Sequence, residues 1–356
     1  MKKVAILILN YNGFERLGSY FLRCVESAKN VKYPVDVYLI DNASTDKSRD
    51  VVERFDVNLI LHKKNYGFVG GFNLAIEKIF KEKKYDFLVL MNNDYIITNY
   101  ECIDEMVKFF DKNKRVISVQ CINLKENKKD ISDVSGFMDI YFNGIQRYIG
   151  YKISEYPHKI SYVSTNVGAF FMLDVKKLIE IGRFPHVFDP SHYWDFDAAE
   201  VGFSSWNKGY YSAILPIEGG IHLEEKTLQR LSFTRQYLIN RNRIFCYRKI
   251  WNNKPLNCSL KVSLLRNLFF ELKFKRKERI RGIFDGLTKD FFYKYNGKYY
   301  PLLITPDFKD ILSHLFIMRR WVKQLEMLRT SFITDNEIKG SQFPFLINIK
   351  KLINKG

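Results

Sequence analysis

Four short, largely apolar runs in the first hundred residues stop abruptly at asparagine or aspartate. Val4–Leu9 ends before Asn10, Val35–Ile40 before Asp41, Val57–Leu61 ahead of a loop with Asn65, and Phe87–Met91 before Asn92, Asn93 and Asp94. Runs of this length read as strands, and their continuous apolar character suits burial on both faces. Helical spacing appears between them, in Leu17, Phe21, Leu22 and Val25, and again in Phe72, Ala75, Ile76, Ile79 and Phe80. Strand alternating with helix predicts an α/β fold, a mostly parallel sheet flanked by helices on both faces. Ligands of such sheets bind beyond the carboxyl ends of the strands, so Asn10, Asp41, Asn65 and Asp94 are expected on one rim. One polar strand end is an ordinary turn signal, but four together make a cleft for a polar ligand.

Asp94 carries the most specific chemistry, because its oxygens suit a hard divalent cation such as Mg2+ or Mn2+. Ser44–Phe55 and Glu101–Lys112 read as further helices, and Val116–Cys121 as a fifth strand. Gly70 and Gly71 are read as the start of the helix after Asn65, where backbone amides can approach an anion. Residues 123–160 are irregular, with a hairpin expected beside the cleft, and Tyr162–Asp174 reads as a strand running through Gly168 and Ala169.

The motifs ILNYNG, LIDNASTD, NYGFVGGFN and MNND, in that order, resemble the inverting glycosyltransferases of family 2, in particular rhamnosyltransferase-like members, over residues 1 to about 290. The resemblance implies the GT-A fold, a nucleotide-diphosphate sugar as donor, a glycan or lipid-linked glycan as acceptor, and Mn2+ or Mg2+ as cofactor. Asp41 would contact the nucleoside and Asn73 would lie near the donor, in a pocket completed by Asn10, Tyr11, Asn12, Asn65, Gly67, Gly71, Asn92 and Asn93. Asn92–Asp94 stand where the family has an Asp-x-Asp metal motif; with Asn92 at its first place, metal binding rests mainly on Asp94. His222, thirteen residues after Gly209 with Pro216 between, matches the family's metal-binding histidine. Gly168 would leave room beneath the transferring sugar, and Trp194 would stack on the acceptor.

Transfer to a hydroxyl needs a base, and the YWDFDAAEVGF stretch supplies Asp195, Asp197 and Glu200. Aligned on Trp206 and Gly209, it places Ala198 where the family's base stands. Three readings stay open: Asp197 serves as base, Asp195 or Glu200 replaces it, or the chain is a catalytically degenerate member that binds nucleotide or glycan. Asp197 and Glu200 also have the spacing of a helix capping box.

The formal charge of +18 points to an anionic partner. A basic nucleic-acid-binding protein is the remaining class, but no helix-turn-helix, RNA-recognition or zinc signature accompanies the charge, so no nucleic acid is expected. A sugar nucleotidyltransferase is disfavoured because LILNYNGFERL lacks a glycine-rich, arginine-containing loop. Five scattered cysteines, Cys24, Cys102, Cys121, Cys246 and Cys258, fit a reducing compartment. The apolar run after MKK is too short for a signal peptide and reads as a buried strand. The expected location is cytoplasmic, or peripheral at the inner membrane face.

The expected division is a catalytic domain over residues 1–222, its nucleotide half about 1–121 and its acceptor half about 122–222, followed by a mainly helical, basic and aromatic region over 223–356. Basic helices in LSFTRQYLINRNRIFCYRKIW and LKVSLLRNLFFELKFKRKERIRGIFDGL either lie on an anionic membrane surface or pack against the catalytic domain. KYNGKYYPLLITPDF reads as a loop and short strand, and Ile311–Thr330 as a helix.

Overall fold

The computed structural model describes residues 1–139, 142, 144–166, 168–193, 197–223, 233–250, 268–269, 271–290, 302–305, 328–334 and 346–348. Its first half alternates as the apolar pattern predicts. β1 (Val4–Asn10) leads into α1 (Gly13–Leu17) and α2 (Ser19–Lys29), β2 (Val35–Asp41) into α3 (Ser48–Val52), and β3 (Asn58–Leu61) into α4 (Gly67–Glu82). β4 (Phe87–Asn92) is followed by the short β5 (Tyr95–Ile97) and by α5 (Cys102–Lys112). The first four strands lie parallel in the order β4-β1-β2-β3, which brings their carboxyl ends to one edge.

β1 shows why the run must be apolar throughout. Successive side chains of a strand point to opposite faces. Val4, Ile6 and Ile8 pack with Phe21 and Val25 on one face, while Ala5 and Leu7 pack with Phe72, Ile76 and Ile79 on the other. Full burial of a side chain of this size contributes roughly 1.5–3 kcal/mol.

The second half consists of β6 (Val116–Leu124), β7 (Ile131–Asp133), the hairpin β8 (Gly136–Met138) and β9 (Gly144–Gln146), β10 (Ser161–Val163), β11 (Phe170–Asp174), α6 (Val175–Glu180), α7 (Asp197–Asn207) and β12 (Tyr211–His222). β11 runs antiparallel between β4 and β6, and β12 lies parallel to β6. The ten-stranded sheet among the described residues therefore reads β10-β12-β6-β11-β4-β1-β2-β3, with β5 paired to β12 and β7 to β6.

Several boundaries differ from the sequence expectation. Gly18, with φ of 56°, divides the first helix in two. The helix expected from Ser44 begins only at Ser48 and closes in a 3-10 turn, Glu53–Phe55, because Ser44 and Thr45 bond to the β1 loop instead. α4 starts at Gly67, so Gly70 and Gly71 lie within it. The Tyr162–Asp174 stretch forms two strands separated by the turn at Gly168 and Ala169. β12, not anticipated as a strand, tolerates Pro216, Gly219 and Gly220 because its register against β6 shifts there.

The later chain supplies α8 (Phe233–Ile250), α9 (Lys277–Thr288), and β13 (Leu303–Thr305) paired parallel to β14 (Leu346–Asn348). α9 packs on α8 through Gly282 and Gly286. A Cβ at Gly282 would collide with the Tyr237 carbonyl, and one at Gly286 would sit 2.8 Å from the Ile244 Cβ. Later segments are bonded to the sheet region: Tyr162 N donates to the Ile333 carbonyl at 2.8 Å, and Tyr148 N to that of Arg329 at 3.1 Å. Of the helix expected over Ile311–Thr330, residues 311–327 lie outside the described residues, and Leu328–Thr330 is a 3-10 turn. Cys24, Cys102, Cys121 and Cys246 are buried free thiols, with Cys102 pushed up to about 12 by burial; Cys258 lies outside the described residues. No helix of the described residues is long and apolar enough to cross a membrane.

Candidate active site

The carboxyl edge of β1 and β2 is laced together by side chains. Asn10 is buried; its amide donates to Ser44 Oγ at 3.1 Å, and its Oδ1 accepts from Asn93 Nδ2 at 2.8 Å. Gly13 is demanded by this contact, since a Cβ there would collide with Asn10 Oδ1 and lie 2.8 Å from Asn93 Nδ2. Asn12, in the left-handed region at φ 52°, accepts from Thr45 N at 2.8 Å and returns a bond to Thr45 Oγ1 at 3.2 Å. Asp41 has no exposed surface: it accepts from Ser44 N and from Arg49 Nε at 2.6 Å, so the half-exposed Arg49 stands between this carboxylate and solvent.

The β3–α4 loop is fastened in the same manner by Asn42. Its amide donates to Asn65 Oδ1 at 2.9 Å and to the Gly67 carbonyl at 3.0 Å, while its Oδ1 accepts from Tyr66 N. Gly67 has a φ of 71°, and its bare Cα lets the Tyr193 ring lie where a Cβ would be 2.6 Å away. Tyr11 lies near Tyr193; burial first, and then this neighbour, raise the Tyr193 hydroxyl above its ordinary range. The amino end of α4 opens at this rim, where its amides and dipole favour an anion. Gly71 packs on Leu9 and Asn42, and Gly168 on the Phe68 ring, so both sit beside that helix end. Asn73 is a clamp rather than an open ligand. Its Nδ2 donates to the Phe188 carbonyl at 2.8 Å and its Oδ1 accepts from Phe188 N at 3.1 Å, tying α4 to the loop before Asp189.

β4 ends at Asn92, whose amide N donates to the Ala169 carbonyl at 2.9 Å. Two residues on, Asp94 is buried, and its Oδ1 lies 3.5 Å from His222 Nε2. β12 brings the histidine there by pairing with β5, in a register that opposes His222 to Tyr95. The other ring nitrogen, Nδ1, is 3.7 Å from Asp133 Oδ2. Asp133 is in turn held by Gln120 Nε2 at 2.6 Å and Asn123 Nδ2 at 3.1 Å, and Asn123 accepts from the Tyr95 hydroxyl at 2.8 Å. Adjacent ligands of one cation at about 2.1 Å stand about 3 Å apart, so Asp94 and His222 fit a shared divalent ion with little movement. Among the described residues no group of three His, Cys, Asp or Glu side chains could hold a metal ion.

The carboxylates of the 195–200 stretch separate. Asp197 opens α7; Asp195 and Trp194 lie outside the described residues. Glu200 lies deeper, among basic side chains. It has no exposed surface, accepts from the buried Arg183 guanidinium, and has Lys249 Nζ at 3.5 Å. Lys249, itself fully buried on α8, also pairs with Asp189. The start of α7 is set from the other side by Thr165 Oγ1, which donates to the Ala198 carbonyl at 2.6 Å, and by Gly202, where a Cβ would crowd Ser164 and Thr165.

Sequence reasoning singled out neither Asn42 nor Asp133. Asn42 lies within the LIDNASTD motif, so its signal was present; Asp133 sits in the irregular stretch and is marked only by what surrounds it.

A parallel β4-β1-β2-β3 half joined to the mixed half of the sheet, with acid, imidazole and helix end on one edge, defines a glycosyltransferase of the GT-A fold. The chain belongs to glycosyl transferase family 2, whose family model matches residues 5–182. The crystal structure of GalNAc-T7 with UDP, GalNAc and Mn2+ is similar at a TM-score of 0.55 and 14% identity, covering 81% of this chain and 56% of that one. The chain thus spans little more than half of that protein's length. Weaker likeness extends to S. aureus TarS 1–349 in complex with UDP-GlcNAc (TM-score 0.49, 12% identity, 85% of this chain and 99% of that). It extends also to the mannosyltransferase PcManGT of Pyrobaculum calidifontis with GDP-Man and Mn2+ (0.46, 12%, 81% and 88%). No curated relative matches the sequence.

Proposed function

We propose that the chain moves a sugar from a nucleotide-diphosphate donor to a hydroxyl of a glycan or lipid-linked glycan, with inversion of the anomeric carbon and with Mn2+ or Mg2+ at Asp94 and His222. The observation that carries this reading is the 3.5 Å approach of the Asp94 carboxylate to the His222 imidazole at the carboxyl end of β4. UDP and Mn2+ accompany the GT-A relative GalNAc-T7, which supports the same ligand chemistry here. A bound divalent ion supplies Lewis-acid stabilisation of the leaving diphosphate.

The remaining work falls to the chain's own residues. Asn42, Asn65 and Gly67 hold the loop that presents the amino end of α4 to the diphosphate. Tyr11, Asn12 and Arg49 border the nucleoside side, with Asp41 anchoring Arg49. Gly168 gives the sugar room beside Phe68. Asp197, at the first turn of α7, is the proposed base: the acceptor oxygen bonds to the anomeric carbon as its bond to the diphosphate oxygen breaks, and the acceptor proton passes to the carboxylate. A single displacement from the opposite face inverts the centre.

Calorimetric titration of UDP, dTDP and GDP, with manganese and with chelator, tests the donor site. Tight manganese-dependent binding of one nucleotide is expected, and it should be lost in Asp94→Ala and in His222→Ala. Asp197→Ala should keep nucleotide binding and lose transfer. Absence of binding by all three nucleotides under both conditions sinks the reading.

A further inference from the structure

The segment from Phe269 to Leu287 carries the densest exposed apolar surface of the described residues. Phe269, Leu272, Phe274, Phe284 and Leu287 are 64%, 56%, 56%, 54% and 37% exposed. Isolated exposed apolar residues are ordinary, but five within nineteen positions concentrate exposed apolar surface on one segment. The fold explains why they face outward. α9 turns its glycine edge, Gly282 and Gly286 with Ile283, into α8. At about 100° per residue, Phe284 falls on the side opposite Gly282, with Ile280 and Leu287 towards the same side and Lys277 and Arg281 flanking them. Ahead of the helix, the stretch Leu272–Lys277, LKFKRK, is exposed at every position and turns through Lys275 in the left-handed region.

The charge around this apolar surface has one sign. Residues 269–289 contain seven basic and three acidic side chains. The acids are partly spent internally: Glu271 pairs with Arg276 and Arg279, and Asp285 with Lys289. Lys273, Lys275 and Lys277 have no ion pair among the described residues and stand exposed between the apolar side chains. Exposed phenylalanine and leucine interspersed with exposed lysine along one segment supply the two halves of interfacial binding: apolar insertion below the headgroups and attraction to negative headgroups.

We infer that this face docks on an anionic lipid bilayer. The charge complementarity selects that occupant over a second copy of the chain, whose same face would bring like charges together. The geometry also connects the face to the cleft. On α8, Arg241 donates to the Ser191 carbonyl at 3.0 Å, and Tyr193, two residues on, packs on Gly67 at the head of α4. The docked surface and the rim of the cleft are therefore joined through one helix, an arrangement suited to an acceptor carried in the bilayer.

The test is co-sedimentation of the full chain with vesicles of phosphatidylcholine alone, and with vesicles containing phosphatidylglycerol at about one lipid in three. Binding is expected on the anionic vesicles and should weaken with added salt. Joint replacement Lys273→Gln, Lys275→Gln and Lys277→Gln should lower affinity on the order of 100-fold. Phe274→Ser with Phe284→Ser should abolish the salt-resistant part, and because all five side chains are exposed the melting temperature should not move. Equal binding to both vesicle types, or variants that bind as the parent does, overturns the inference. So does a parent dimer that the Phe274→Ser, Phe284→Ser variant converts to monomer, since the face would then belong to a second copy. Nucleotide titration of the same samples keeps this result separate from the proposed transfer: vesicle binding without nucleotide binding would remove the catalytic reading and leave this one standing.

Discussion

Asp133 shows how much a single side chain's neighbours matter. Carboxylates behind a metal-bound imidazole orient the ring, and their loss typically costs 10–100-fold in metal affinity. Asp133→Asn is therefore expected to weaken Mn2+ binding by about that factor, read by titration of the metal alone, while the fold is kept by the Gln120 and Asn123 contacts. Unchanged Mn2+ affinity would show that Asp133 serves only the β6–β7 pairing. A second substitution probes the rim. Gly13→Ala forces a methyl against Asn10, Asn93 and the buried Phe21 ring, so nucleotide affinity and melting temperature should both fall. Neither expectation could be formed from the sequence, where Asp133 lies in the irregular stretch and Gly13 in an ordinary turn. The position of Asn10 and Asp94 at strand ends was readable, since strand ends are local features, whereas His222 was singled out only by the family resemblance.

At the scale of elements, α8 is the piece that binds the late chain to the catalytic half. Its buried Lys249 stands between Asp189, from the loop clamped by Asn73, and Glu200 on α7. Removing one member of a buried ion cluster leaves charge without compensation, at a cost of about 3–5 kcal/mol. Lys249→Met should therefore lower stability to denaturant by about that amount, and the α7 start that carries Asp197 should lose amide exchange protection along with α8. If α8 alone loosened, the coupling between the two helices would be disproved. The pattern of apolar and basic residues announced both α8 and α9 as helices. That α8 turns a lysine into the core was not announced, because helical periodicity ranks a charged residue as surface and only the partner carboxylates reverse that.

For the whole molecule, the buried titratable groups set a pH dependence. Burial and the neighbouring Lys249 hold the His192 imidazole well below its usual range. The unfolded chain binds this proton near pH 6.5 and the folded chain does not, so stability present above that value falls as pH drops through it, by up to about 1.4 kcal/mol per pH unit. Burial would raise the Asp189 carboxyl, but the Lys249 charge and the hydrogen bonds from Lys249 and Ser191 bring it below its ordinary value, so its contribution is lost only below about pH 3.9. Melting temperature should decline from pH 7 to pH 5, and His192→Gln should flatten that decline; an equal decline in the variant would place the titration elsewhere. The sequence by itself determined the alternation of buried strand and helix, the polar ends of the first strands and the helical character of Phe233–Ile250 and Lys277–Thr288, because each is written in a period of a few residues. Only the tertiary structure decided that β12 completes the sheet through a bulged register, that Asp133 faces His222, and that Glu200 is buried against Arg183 and Lys249. Those outcomes depend on which distant residues meet, and contacts across tens to more than a hundred positions leave no periodic trace in the chain.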